Sequence, residues 1–376
     1  MKAVAVLDYG GPDVLRVVDV PDPRAGSGQI RLRVHAAAVN PADTLLRVGD
    51  IAAALAGNLD PPYRPGMDAA GIVHEIGPDT TTDLQVGDRA MAMVVPIDAS
   101  GGAYAEYVVL QADQVAPAPQ GTSHVEAATL PMNGLTALLA VDTLDLDPGA
   151  WLAVTGAVGA VGGYVVELAK ARGIRVVADA SPADEALVRK LGADLIVARG
   201  PGFGDRVHAA LPDGAAAVAD TALLGEDVSA ALRPGGQIAV FRRPGERGTR
   251  PYGAPTDVSV RDIWVPEYRL ARHKLDYLRG LVEQGRITLR VADVYPAADA
   301  PAAHRRLEAG GVSIGSIDGA RLERPSTLPR QLGRSRAGCV RVRLEGSGGS
   351  TLPGNRGTGH RNHHHARKNT RYDLRK

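Results

Sequence analysis

Residues 151–170 constrain this chain more than any other segment. Trp151-Leu152-Ala153-Val154-Thr155 is an apolar run that ends at Gly156, and Gly159, Gly162 and Gly163 follow within seven residues. Val161, Val165, Leu168 and Ala169 then recur at helical spacing. A strand, a glycine turn and a helix N-terminus in immediate succession aim backbone N–H groups and the helix dipole at one point, where a phosphate can sit. Ala171-Arg172-Gly173 stops the helix, and a second apolar run from Ile174 to Ala178 closes on Asp179. Asp179 lies 23 residues beyond Gly156, near the ~20 residues at which an acidic side chain reaches ribose hydroxyls. The segment is therefore one βαβ unit and a candidate dinucleotide site. Its candidate cofactor contacts are Gly156, Ala157, Gly159, Val161, Gly162, Asp179 and Ser181, with Phe241 at the end of a later strand. With 45 glycines in the chain, the alternative is an ordinary βαβ turn that needs glycine only for steric reasons.

The rest of the chain supplies a setting for such a unit. Residues 1 to about 120 are β-rich: strands are expected over 3–7, 29–38, 70–76 and 104–109, separated by Gly10-Gly11-Pro12, Asp22-Pro23, Gly26-Ser27-Gly28 and Gly87-Asp88. Near Ser123-His124-Val125-Glu126, which reads as a capping box, the texture becomes helical. Beyond the glycine turn, strands (193–198, 215–219, 237–241) alternate with helices (182–191, 203–211, 228–232), which implies a doubly wound parallel sheet. Residues 242–262 read as a loop, 268–284 and 300–309 as helices. The expected fold class is α/β, with a second, β-rich domain.

Composition excludes several functions. No apolar run approaches the ~20 residues that span a bilayer, and the first eight residues read as a strand rather than a signal peptide. A single cysteine, Cys339, rules out an internal disulfide framework and a multi-cysteine zinc lobe; a cytoplasmic location is the default. Residues 1–319 carry 29 Lys/Arg against 39 Asp/Glu, whereas 320–376 carry 14 against 3. That basic tail, poor in periodic apolar residues, is expected to be disordered or aberrant. It has no aromatic platform for nucleic acid, so nucleic-acid binding is not expected.

Several segments in order resemble the medium-chain dehydrogenase/reductases, in the zinc-independent quinone oxidoreductase (zeta-crystallin-like) branch. They are Met1-Lys2-Ala3-Val4 with Gly10-Gly11-Pro12, Asn40-Pro41-Ala42-Asp43, Pro65-Gly66-Met67-Asp68-Ala69-Ala70-Gly71, Val86-Gly87-Asp88-Arg89, Gly102-Ala103-Tyr104, Gly134-Leu135-Thr136-Ala137, the glycine turn, Leu191-Gly192-Ala193-Asp194 and Leu232-Arg233-Pro234-Gly235-Gly236. The resemblance spans residues 1 to about 311. It implies a GroES-like domain (1–122, with a return over 256–319) beside a Rossmann NAD(P)-binding domain (123–255), followed by the tail 320–376. It also implies hydride transfer from a reduced nicotinamide to a quinone or an α,β-unsaturated carbonyl in a cleft between the domains, and a homodimer. A zinc-free carbonyl reductase and a non-catalytic dinucleotide-binding relative are the alternatives.

Three features of the residues bear on this expectation. Gly66-Met67-Asp68 offers methionine, a poor zinc ligand, and no cysteine precedes Cys339, so no metal is expected. Oxyanion stabilisation then falls to hydrogen-bond donors, for which the resemblance points to Asn40, Asp43 and Thr136; Asn40 before Pro41 equally reads as a turn former, and Thr136 as a packing residue. Leu45 and Ile51 stand where the family's substrate-contacting aromatics are expected, which leaves enones and quinones both open, and the final proton is expected from water. Asp179 leans to NAD(H), because a carboxylate repels a 2′-phosphate, while the family's habit leans to NADP(H). Finally, the last strand expected after Gly311 is missing its usual pattern. Val312 and Ile314 offer only a makeshift one, so an open sheet edge and reduced stability are expected.

Overall fold

The computed structural model describes residues 1–52, 59–242, 245–246, 248–253 and 255–310, and the backbone of 315–318 and 341–343. The strands are β1 (Lys2–Val6), β2 (Leu15–Asp19), β3 (Gln29–Val39), β4 (Asp68–Ile76), β5 (Arg89–Met93), β6 (Tyr107–Gln111), β7 (Val115–Pro117), β8 (Trp151–Thr155), β9 (Arg175–Ala180), β10 (Leu195–Ala198), β11 (Ala215–Asp220), β12 (Leu232–Val240), β13 (Ser259–Asp262), β14 (Val294–Pro296), β15 (Gly315–Asp318) and β16 (Arg341–Arg343). The helices are α1 (Pro41–Val48), α2 (His124–Ala127), α3 (Pro131–Leu144), α4 (Ala160–Ala171), α5 (Glu185–Lys190), α6 (Phe203–Ala210), α7 (Arg272–Glu283) and α8 (Ala300–Glu308).

The alternating half forms the expected doubly wound sheet. Its six strands are all parallel, in the order β10-β9-β8-β11-β12-β13. Such strands are covered on both faces, which is why β11, Ala-Ala-Ala-Val-Ala-Asp, is buried at every position. The strand order reverses between β8 and β11, and ligands bind outside the carboxyl ends of parallel strands at such a point. Gly156 follows β8 there and Thr221 follows β11.

The β-rich part is built on β3. It pairs antiparallel with β4 and β6, and the sheet continues through β5 to β7. β1 and β2 form a separate ribbon. Helix α3 lies against α4 and against strands of both sheets, β4, β5 and β12. It has no polar face to give to water, since Met132, Leu135, Leu138, Leu139 and Val141 around its circumference are all buried. One hydrophobic cluster accordingly takes in Met91 and Met93 from the β-rich sheet, Leu135 and Leu138 from α3, and Leu152 and Val154 from the parallel sheet.

Four expectations are corrected. The loop 242–262 contains β13, a four-residue edge strand, Ser-Val-Arg-Asp, too short and polar to stand out. The helix expected over 228–232 is a 3-10 helix, Gly225–Ala231, and Leu232 already belongs to β12. Asn40-Pro41-Ala42-Asp43 is the start of helix α1 rather than a bare turn. The sheet edge expected to stay open is covered, because β15 and β16 both pair antiparallel with β3 around Ala37 and Ala38. β16 thereby gives strand structure to three residues of the tail. Val312, Ile314, Cys339 and the remainder of the tail lie outside the described residues.

Candidate active site

Local sterics build the glycine turn. Gly156 adopts φ +63°, a left-handed conformation that favours glycine. A Cβ on Gly162 would lie 2.3 Å from the Gly156 carbonyl oxygen, so only glycine lets α4 approach β8 this closely. Gly159 caps α4, and its N–H donates to the Gly156 carbonyl at 2.8 Å. The first N–H groups of α4 have no helical acceptor, and Ala160, Val161 and Gly162 line a cavity of about 1050 Å³.

That trough runs from Asp179, Ser181 and Arg199 at one end to Asn40, Pro41 and Asn133 at the other. A second cavity, of about 310 Å³, adjoins it: Pro41, Asn133, Val161 and Thr221 line both. The second is mostly apolar, walled by Leu45, Ile51, Met67, Met132, Phe241 and Trp264 among others.

At the junction, three side chains form a polarised chain. The Asp68 carboxylate is fully buried. It accepts the Met132 N–H on Oδ1 at 2.6 Å and Asn40 Nδ2 on Oδ2 at 2.7 Å. In its ionised form the carboxylate only accepts, and Asn40 turns its NH₂ to Asp68. Its Oδ1 is left to accept Asn133 Nδ2, at 2.9 Å. Each amide NH₂ retains a second N–H.

Behind Asn40, Asp43 accepts the Asn40 N–H (2.8 Å) and the Gly66 N–H (2.7 Å), closing the capping box of α1. Tyr104 donates to it at 3.4 Å. Burial pushes Asp43 up to about 7 against those donors, and pushes Asp68 up to about 7 against its own, with the Asp43 charge adding to the rise. Farther back, Arg47 donates to His304 Nδ1 at 3.1 Å and to Glu308. Since arginine cannot accept, Nδ1 is the bare nitrogen and Nε2–H faces the Tyr104 oxygen at 3.4 Å. Burial, reinforced by the Arg47 charge, drives His304 down to about 3, so the ring is neutral.

The expected site residues fall into two groups. Asn40, Gly156, Gly159, Val161, Gly162, Asp179 and Ser181 line the trough together; Thr136 and Phe241 line the apolar cavity instead. Thr136 gives its hydroxyl proton to the Met132 carbonyl at 2.6 Å. Two placements differ from expectation. Asp43 lines neither cavity, because its carboxylate is turned onto backbone N–H groups behind Asn40. Ala157 is buried behind the turn with its N–H committed to Asp179 Oδ1 at 3.0 Å, so it offers no donor to a phosphate.

Two residues were missed. Asn133 was hidden as one polar residue in an apolar helix. Arg199 ends the β10 run just as Asp179 ends β9, and that parallel was the available signal. Its Nε donates to Asp179 Oδ2 at 2.9 Å and its Nη1 to Asp184 at 3.1 Å, with Ser181 also on Asp184 at 2.6 Å.

A family model described as "Alcohol dehydrogenase GroES-like domain" matches residues 26–120, and one described as "Zinc-binding dehydrogenase" matches 160–270. The chain is 28% identical to a quinone oxidoreductase of Mus musculus over 339 residues, 84% of this chain and 97% of that protein. The chain belongs to the medium-chain dehydrogenase/reductase superfamily, in its quinone oxidoreductase branch. A chloroplastic NADPH-dependent alkenal/one oxidoreductase of Arabidopsis thaliana is 34% identical over 204 residues, 52% of each chain. The matched part thus spans about half the length of some medium-chain relatives and nearly all of others. A solved mycobacterial protein complexed with NADPH aligns at TM-score 0.71 and 29% identity, over 82% of this chain and 97% of that one.

As a medium-chain dehydrogenase/reductase, the chain has a trough whose residues fit a nicotinamide dinucleotide. It offers a glycine turn a Cβ would fill, free helix N–H groups and a carboxylate–guanidinium pair at the far end. Zinc fits less well. Among the described residues no three His, Cys, Asp or Glu side chains come together to hold a metal, and Asp43 and Asp68 are both spent on amide donors. No helix among those residues is long and apolar enough to cross a membrane.

Proposed function

We propose that this protein is a zinc-independent NAD(P)H-dependent oxidoreductase that reduces a small apolar α,β-unsaturated carbonyl or quinone. The observation that carries it is the junction at Pro41, Asn133, Val161 and Thr221, where the dinucleotide-sized trough opens into the apolar cavity. Bound in the trough, a reduced nicotinamide would supply the hydride.

The chain's own residues do the rest. The free N–H groups of α4 hold phosphate oxygens. Leu45, Ile51, Met67 and Met132 strip water from an alkene. Developing negative charge on the carbonyl oxygen is met by the remaining amide N–H groups of Asn40 and Asn133, whose orientation Asp68 fixes before substrate arrives. Thr136 takes no part as a donor, since its proton is already on Met132. The second proton comes from water or from Glu246, the one acid among the described residues that line the apolar cavity.

At the ribose end, Asp179 and Asp184 set two carboxylates against the single guanidinium of Arg199. That balance supports NADH over NADPH. The edge strand β13, with Val260 and Trp264 exposed, supports pairing of two copies into a dimer, and the fold is compatible with a cytoplasmic location.

Following NADH and NADPH oxidation at 340 nm with a panel of enones and quinones, with and without chelator, tests these points together. Turnover of enone or quinone, unaffected by chelator and faster with NADH, is expected. Tight cofactor binding without turnover, or loss of activity on chelation, overturns the assignment.

A further inference from the structure

Arg290 lies 131 residues downstream of Gly159 and outside both cavities. It belongs to the strap after α7, whose Ile287 is buried and whose Leu289 and Val291 pack on the core. The strap is tied along α4, since Glu167 accepts the Thr288 N–H at 3.1 Å. This brings the Arg290 guanidinium, only 7% exposed, directly behind the turn. Nη1 donates to the Val158 carbonyl at 2.9 Å and Nη2 to the Gly159 carbonyl at 2.8 Å. Nε is buried without a partner. Gly163 is what lets it in, since a Cβ there would lie 2.1 Å from Nη2.

Two physical consequences follow. A peptide unit is planar and trans, so pinning the Gly159 carbonyl inward points the Ala160 N–H outward, into the trough that Ala160 lines. The charge also lacks a direct ion-pair partner, the Glu167 carboxylate acting on it only at longer range. Among the described residues no carboxylate is within ion-pair distance of Arg290, and neutral carbonyls are its only partners. Burying an arginine this way is costly unless an anion shares the site. The helix N-terminus contributes about half a positive charge at the same spot, so the complementary ligand is a diphosphate in the trough.

We propose that Arg290 is a positioning residue for the pyrophosphate of the dinucleotide: it locks the turn with its N–H groups facing the trough and supplies the buried charge that the diphosphate neutralises. This rests on the dinucleotide reading of the trough.

The test is equilibrium binding to the full chain, with NADH fluorescence as signal and ADP-ribose and adenosine as displacing probes. Arg290→Met is expected to weaken NADH and ADP-ribose alike by about 10- to 100-fold, the loss of a charged hydrogen-bonding group, and to leave adenosine unchanged. The kcat at saturating NADH should stay within about threefold. Gly163→Ala keeps the arginine but drives its guanidinium off the carbonyls, so it serves if Arg290→Met does not fold, and the same selective loss is expected. Unchanged NADH affinity in either folded variant overturns the proposal, as does equal weakening of adenosine, which marks general disruption. If the wild-type chain binds neither NADH nor ADP-ribose, the dinucleotide reading itself falls and takes the proposal with it.

Discussion

Raising the pH from 5 to 8 should destabilise this protein by about 4 kcal/mol, at about 1.36 kcal/mol per proton and pH unit. Asp43 and Asp68, each pushed by burial from 3.8 up to about 7, hold protons in the folded chain at pH 5 that the unfolded chain has released. Glu167, pushed by burial from 4.5 to about 6, acts in the same direction. The folded state therefore binds more protons, and stability falls as pH rises through the folded values. His304 opposes them. Its folded value near 3 lies below its ordinary 6.5, so the unfolded chain is the one that takes up this proton, and stability rises toward pH 6.5. Two aspartates contribute about 5 kcal/mol and Glu167 about 1, against roughly 2 from His304. Urea unfolding at pH 5, 6.5 and 8 measures the fall directly. Asp68→Asn should remove about half of the aspartate share, because it deletes one of the two raised carboxyl groups. A stability that is flat or rises from pH 5 to 8 would refute this account. It would mean that the amide donors around the two carboxylates outweigh desolvation and keep both ionised throughout.

Four further outcomes are expected. Asp68→Asn, with its oxygen kept on the Met132 N–H, presents NH₂ to Asn40, so the amides of Asn40 and Asn133 must turn over; kcat should drop by roughly 10² with the KM for NADH little changed, and an unaltered kcat removes the amides from catalysis. Asp179→Asn keeps an acceptor for the Ala157 N–H but leaves Arg199 only the Asp184 carboxylate, and should raise the NADPH/NADH ratio of kcat/KM at least about tenfold, or about 1.4 kcal/mol. Gly162→Ala, with its Cβ 2.3 Å from the Gly156 oxygen, should weaken NADH binding by roughly 1–3 kcal/mol of overpacking, read by fluorescence titration. Thr136→Val should leave kcat within about threefold, and a larger loss would give the hydroxyl a role that its bond to Met132 denies it.

What could be read from the sequence depended on how local its cause was. The glycine turn was legible because steric demand selects glycine at fixed spacing, and the parallel sheet because buried strands leave unbroken apolar runs such as Ala215–Asp220. Asn40 and Asp43 were found as a pair, but which faced the cleft was not legible. Asp43 is drawn back by the Gly66 N–H, 23 residues away. Arg199 sits one βα unit beyond the carboxylate it neutralises, and Arg290 beyond another domain's worth of chain. A basic residue on a loop carries no mark of the backbone it will hold. β13 escaped because a short polar edge strand buries little and so has no pattern to show.

Helix α3 has one more consequence. Its apolar surface is claimed by two sheets at once, and Asn133 and Thr136, which line the cleft, ride on that same cylinder. A hinge between the two halves would have to peel Met91 and Met93 from Leu135 and its neighbours, baring oil on both sides. Opening the cleft at its rim, at Leu45, Ile51 and Trp264, would cost far less than opening it like a jaw. By the same reasoning neither half is a transplantable part. A graft that carried only the dinucleotide fold to a new partner would arrive with the wall of its active site unsupported.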